Sequence, residues 1–599
     1  MPRNIKQAFD KGTRSADGKP GKNYWQNTGR YNIHITATPP SHTISGTETI
    51  SYLNQSPDTL RTIVLRLIDN IHKPQSARSG YASLAQLSNG MVIDTLQING
   101  SVQRFNNDVG TVARVRLPKS LLPKDSIQLQ IAWHYELPVE SGREGMIDST
   151  TQYLAYFYPR VAVYDDYNGW DVIEHMDRAE FYNDFNDYTL QVTVPKNFVV
   201  WSTGTLQNEG AVLQQDVAKR LKESFTSDKT IHVATLQDML QHKVTKQNDW
   251  NTWTWTANGI SDMAVGISDH YVWDAGSAIT DSSTHRRASM QAAYNDTTAD
   301  FKHSIAFGTY ALTWFSHHWP GVAYPYPKMT AFQGYADMEY PMMVNDGGGN
   351  PLPFAQLLQD HEMAHTYFPF YMGINETRYA YMDEGWATTF EYLIGIAENG
   401  QQKADAFYKQ FRVKRYITDP STEEDMPIIS MSDQVSGMGY GSNSYGKPSM
   451  AYLSVKDMLG DDLFRKCLHA YMERWHGKHP IPWDFFHAFN DAAGENLDWF
   501  WNNWFFSYHY IDIAVADVNT NGNKTTVQIN NVGGFAIPFD VVVTYADGST
   551  KSFHQTPAVW KANTDKASVT IPGNAEVKAV LLENGIYLDA TPGNNTWKK

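Results

Sequence analysis

The sequence predicts a multidomain α+β chain, with strands first, helices in the middle and strands again at the end. Three observations support this. Apolar and polar residues alternate through stretches such as 31–37 and 188–194, the period of a strand with one buried face. Around 354–365 the apolar residues and histidines recur at i, i+3 and i+4, the period of a helix. Beyond about residue 513 short apolar runs return, separated by Asn521-Gly522 and Asp547-Gly548, both hairpin turn signals.

Taken in order, residues 1–23 are polar and rich in Gly and Lys, the composition of a flexible lead-in. Residues 24–275 read as an N-terminal β domain, with Pro195-Lys196-Asn197 turning the chain between two strands. Within it, 217–248 is rich in Lys, Asp and Gln and reads as an exposed excursion. Helices dominate 276–512, through 293–319, 461–475 and 483–504. The remaining residues, 513–599, suit a small β-sandwich.

The chemistry concentrates in His361-Glu362-Met363-Ala364-His365 and the later Glu384. Two histidines four apart on a helix project from one face, so both imidazoles can reach one tetrahedral zinc ion, with Glu362 beside it as a non-ligand. A Gly-Gly-Gly-Asn-Pro run at 347–351 precedes this helix and Pro369 stops it. A second helix opening near Asp383 supplies Glu384 as third ligand, and Glu391, two turns on, as an acceptor that orients a ligand imidazole. Three protein ligands leave a fourth position for water, the mark of a catalytic site. Zinc there polarises a carbonyl and acidifies its water, and Glu362 is placed as the general base.

These residues carry a resemblance. His361–His365, then Asn375-Glu376-Thr377-Arg378, then Met382-Asp383-Glu384-Gly385-Trp386-Ala387 resemble the zinc aminopeptidase family of aminopeptidase N and the leukotriene epoxide hydrolase/aminopeptidase. Ala336-Asp337-Met338-Glu339-Tyr340-Pro341 stands where that family has its Gly-Ala-Met-Glu-Asn exopeptidase motif, and Tyr445-Gly446-Lys447-Pro448 resembles its Tyr-x-Lys-Gly segment. Residues 156–170 resemble the N-terminal domain of bacterial members. The resemblance implies a saddle-like N-terminal β domain, a thermolysin-like catalytic domain and one Zn²⁺ per chain. It makes Tyr445 the oxyanion donor and Glu339 the group that binds the substrate α-ammonium, with Ala336, Asp337, Met338 and Tyr156 lining the substrate. The chain departs from the family at Ala336, which replaces the motif's first glycine, at Asp337, which puts a charge at the next position, and at Tyr156, where a Gln or Glu helps hold the amine. Those departures bear on specificity, and Asp337 could partly stand in for the polar side chain that Tyr156 replaces.

Composition sets the outer bounds. A net charge of −15 argues against nucleic acid as a partner. A single cysteine, Cys467, permits no intrachain disulfide and reads as a packed thiol. No apolar run is long enough to span a membrane, and the N-terminus lacks a signal-peptide core. Likeness to exported bacterial relatives suggests a periplasmic or extracellular place, with the cytoplasm as alternative. The sequence therefore points to a zinc aminopeptidase acting on peptides with a free N-terminus. The alternatives are a non-catalytic peptide-binding relative and an endopeptidase with relaxed N-terminal recognition.

Overall fold

A computed structural model describes residues 1–139, 143–418 and 425–599. The chain divides into two compact units. The first comprises 1–15, 20–377 and 475–480, and the second 16–19, 378–474 and 481–599.

In the first unit the alternating runs become an eight-stranded sheet. Strand Thr28–Ala37 lies antiparallel to Thr43–Leu53 and parallel to Asn186–Pro195. Its odd-numbered positions Tyr31, Ile33, Ile35 and Ala37 are buried while Arg30, Asn32 and His34 face water, as a period of two requires. A six-stranded mixed sheet follows, in the order Ile231–Ala234, Val272–Asp281, Arg286–Tyr294, Lys328–Gly334, Met343–Gly347 and Met338–Tyr340. The short strand Met338–Tyr340 ends the sheet, so Glu339 sits on an edge that, among the described residues, pairs only with Met343–Gly347. Helix Ser304–His317 packs on this sheet and against helix Leu352–Ala364, where the Gln359 amide donates to the Ser304 carbonyl at 2.9 Å.

The second unit is built on helices Glu384–Asn399, Lys447–Leu459, Asp461–Trp475, Pro482–Ala493 and Asp498–Phe505. Aromatic rings fill its core: Trp386 stacks on Tyr452 with centroids 4.1 Å apart, and Phe485 meets both edge-on. Toward the C-terminus come a three-stranded sheet (Ile513–Asn521, Lys524–Asn531, Lys566–Pro572) and a four-stranded one containing Phe539–Tyr545 and Val577–Glu583. The expected order of β domain, α/β segment and terminal strands is present.

Three expectations need correction. Residues 1–23 are not a flexible lead-in: Arg3–Lys11 is a helix with Ile5 and Ala8 buried, and Arg14 is fully buried against Asp166 at 2.8 Å. The excursion at 217–248 exposes most of its residues, as expected, but it is anchored and not looped out of the fold: helix Gln215–Ser224 buries Val217 and Leu221, and Ile231–Ala234 joins the six-stranded sheet. Polar composition hid both segments, since one buried face per turn is enough to anchor a helix. The boundary expected at 275–276 falls inside strand Val272–Asp281, whose pairing on both sides keeps it in one sheet.

Candidate active site

Helix Leu352–Ala364 has an unexpected polarity. Its apolar Leu352 and Phe354 are exposed, and its buried end is Gln359-Asp360-His361-Glu362-Met363-Ala364. Burial of a consecutive acid, imidazole and acid is costly unless they are partnered or bind a cation. The helix ends where it does because Phe368 precedes a proline and leaves helical geometry, at φ −139° and ψ 110°. Its carbonyl thereby accepts from His365 Nδ1 at 3.1 Å. That bond places the proton on Nδ1 and directs the Nε2 lone pair to a ligand role. The His361 and His365 rings are 5.0 Å apart, one turn along the same helix.

Edge strand Met338–Tyr340 brings Glu339 to this end of the helix. A Glu339 carboxylate oxygen lies 3.8 Å from His365 Nδ1, and polar atoms of Glu339, Glu362 and His365 all fall within 4.8 Å of one another. Two acids that sequence reasoning did not assign to the site join them: polar atoms of Glu180, Glu339 and Glu376 also lie within 4.8 Å of one another, and all three residues are buried. The chain achieves this by docking 180–182 on 374–377, with Glu376 N–H donating to the Phe181 carbonyl at 3.3 Å and the Thr377 hydroxyl to the Glu180 carbonyl at 2.8 Å. Arg143 holds Glu180 from the far side at 3.1 Å. Glu376 belonged to a recognised motif segment but carried no periodicity that would mark it as a site acid. Glu180 had no signal at all.

The flanking residues are placed as follows. Tyr156, buried and at φ +60°, packs on Phe181 with centroids 4.2 Å apart and lines the same pocket as Met338 and Glu339. Met338 is buried, with its sulfur 3.1 Å from Arg143 Nη1. Ala336 is half-buried. Asp337 is exposed, at φ +48°, and its carboxylate accepts the Gly347 N–H at 2.8 Å. The expectation that Asp337 stands in for a polar side chain at position 156 is corrected, because its carboxylate caps its own hairpin. Glu180 is the acid beside Glu339.

The motif thus contributes two imidazoles to the first unit and one carboxylate, Glu384, to the second. Glu384 opens helix Glu384–Asn399 and is buried. Glu391, on the same helix, is gripped by Arg412 through Nε at 3.2 Å and through Nη2. Burial works against the Arg412 charge, but Glu391 beside it outweighs burial and holds the guanidinium pKa above its ordinary value. The imidazole-orienting role expected for Glu391 is thus matched in this unit by a guanidinium contact. Arg412 also lies 5.4 Å over the half-buried Tyr445 ring. Lys447, two residues on, is fully buried and bonded to Asp425 at 2.6 Å and to the Met426 carbonyl at 2.8 Å, so it anchors the Tyr445 segment. Two buried imidazoles, that of His365 with its tautomer fixed, and a buried carboxylate are a donor set that suits zinc.

Residues 355–504 match the family model described as the peptidase family M1 domain. The chain carries an M1 peptidase domain. Over that stretch the chain is similar to the zinc metallopeptidases of the aminopeptidase N, or gluzincin, type. Aminopeptidase N of Lactococcus lactis subsp. lactis is 22% identical over 152 residues, which is 25% of this chain and only 18% of the length of that relative. Among solved structures, a mutant M1 zinc metallopeptidase from Deinococcus radiodurans aligns over 82% of this chain and 97% of its own, with TM-score 0.54 and 14% identity. A form of that protein bound to a Tyr-Ser-Ala substrate aligns with TM-score 0.52, also at 14% identity over 82% and 97% of the two chains. At such identity these structures speak for the fold. The multidomain α+β architecture expected from the sequence is theirs.

Proposed function

We propose that this protein is a zinc-dependent aminopeptidase that removes residues from the free N-terminus of peptides. The observation that carries the proposal is the convergence of Glu180, Glu339 and Glu376 beside His365 and Glu362. Three buried carboxylates in mutual reach make a site for a cation, and the α-ammonium of a peptide is a cation of that size. Anchored there, a substrate presents its first peptide bond, and no other, to the hydrolytic residues. The unpaired side of edge strand Met338–Tyr340 suits a peptide backbone added as a further strand.

In this reading His361, His365 and Glu384 hold the metal, one ion per chain. Zinc would supply Lewis acidity toward the scissile carbonyl and its attacking water. Glu362 takes the proton from that water and returns it to the leaving amine nitrogen. The Tyr445 hydroxyl donates to the developing oxyanion, with Arg412 over its ring and Glu391 behind Arg412 setting its position. Intact Glu362 and Tyr445 favour turnover over a peptide-binding role, because a binder needs neither base nor oxyanion donor. Among the described residues no helix is long and apolar enough to cross a membrane. Resemblance to exported bacterial relatives supports a periplasmic or extracellular location.

The test is digestion of a mixed peptide pool, half of it N-acetylated, by the zinc-loaded protein with mass-spectrometric readout. Stepwise N-terminal loss confined to free peptides is expected. Internal cuts in both halves would instead show an endopeptidase, and no cleavage with zinc bound would show a binding protein.

A further inference from the structure

We propose that Asp69, His72 and Glu144 form a second divalent-cation site, in the first unit and independent of the peptidase reading. Asp69 and His72 lie on the tight helical turn Ile68–His72. In a three-residue-per-turn helix, side chains at i and i+3 eclipse, so the carboxylate and the imidazole stack on one side. Glu144 comes from the start of the Gly145–Met146 segment and is steadied by the Ala155 N–H, which donates to its Oε2 at 3.3 Å. One donor atom from each of the three lies within 4.8 Å of the others, and all three residues are buried.

Hydrogen bonding accounts for this cluster only in part, since Asp69 and Glu144 bond to each other only when a proton bridges their carboxyls. His72 Nε2 stands 3.7 Å from Glu144 Oε1, well beyond a good N–H···O bond. Ligands bound at about 2.0–2.2 Å to one tetrahedral ion lie roughly 3.3–3.6 Å from each other, close to that spacing. Asp69 is 1% exposed, and among the described residues no donor reaches either of its oxygens, while Glu144 meets it carboxyl to carboxyl. Two buried carboxyls that face each other must share a proton or hold a cation between them, and the imidazole beside them completes a ligand set for the cation. The guanidinium groups along the adjoining cavity of about 60 Å³ are engaged elsewhere: Arg78 bonds the Ile71, Lys73 and Pro74 carbonyls, and Arg143 pairs with Glu180. Two carboxylates and one imidazole suit Zn²⁺ or Mn²⁺ better than the all-oxygen shells of Ca²⁺ or Mg²⁺. The ion would tie the Ile68–His72 turn to 143–146 behind Tyr156, whose ring lines both this cavity and the Glu339 pocket. It would thereby brace one wall of the substrate pocket.

The experiment is zinc stoichiometry by elemental analysis after incubation with zinc chloride and gel filtration, with far-UV circular dichroism to verify folding. Two equivalents are expected for the wild type, and one for Asp69→Asn and for His72→Ala. His72→Ala leaves both acids in place and decides the matter should Asp69→Asn misfold. His361→Ala, which removes a ligand of the peptidase motif, should separately lose one equivalent and keep the other. The proposal is overturned if the wild type holds one equivalent that His361→Ala abolishes and His72→Ala retains. It is equally overturned if two equivalents survive in His72→Ala.

Discussion

Replacing Glu339 by Gln isolates the charge that reads the peptide N-terminus, because the amide keeps the shape and can still accept a hydrogen bond. Glu180, Glu339 and Glu376 present atoms within 4.8 Å of one another. An ammonium seated at about 4 Å from one such carboxylate gains at most ~4 kcal/mol at an effective dielectric constant of about 20. Measured charge-assisted hydrogen bonds contribute about 1.5–3 kcal/mol. Because Glu180 and Glu376 remain, about 2 kcal/mol is the expected loss, or roughly 30-fold in kcat/KM. The assay compares one peptide sequence with free and with acetylated N-terminus, in wild type and Glu339→Gln. The free peptide should lose that factor and the acetylated one should be unaffected. An equal loss on both peptides would refute the assignment of these acids to the α-ammonium.

Three further outcomes are expected. Glu362→Gln should retain zinc yet lose at least ~10² in kcat, the scale of a general base; unchanged turnover would remove Glu362 from that role. Arg412→Met strands the buried Glu391 carboxylate, whose side chain is 2% exposed, and should cost about 3–5 kcal/mol in a denaturant titration. The double change Arg412→Met with Glu391→Leu should recover much of that loss, and a double variant no better than the single one would show that the pair is not coupled. Hydrogen bonds that the His270 ring donates to Asp148 and Asp269 lift its pKa from 6.5 to about 9. A raised folded-state pKa adds stability that is full below pH 6.5 and lost as pH rises through about 9. The Tm advantage of wild type over His270→Gln should therefore be present at about pH 6 and gone at about pH 9.5; an advantage independent of pH would contradict this.

Much of the site was legible because metal chemistry is written locally. Helical spacing alone sets His361 and His365 on one face, and the residue before Pro369 had to leave the helix, which is what turns the Phe368 carbonyl onto His365. Alternation likewise gave away strands such as Thr28–Ala37. The amphipathic reading failed at helix Leu352–Ala364, where apolar Leu352 and Phe354 are exposed while polar Gln359, Asp360, His361 and Glu362 are buried. A functional helix end reverses the usual pattern because its polar groups are wanted inside, around a ligand.

The sequence by itself determined the His361–His365 spacing with Glu362 between the two histidines and the succession of strands and helices, which depend on residues a few positions apart, while Tyr445 was singled out by family resemblance. Only the tertiary structure decided which distant acids gather. Glu180 reaches Glu339 because the 180–182 segment docks on 374–377, Asp337 is spent capping its own turn, and Glu391 is met by Arg412. Asp69 and Glu144 likewise meet across many intervening residues. Such meetings follow from the packing of whole elements, and no local periodicity records them.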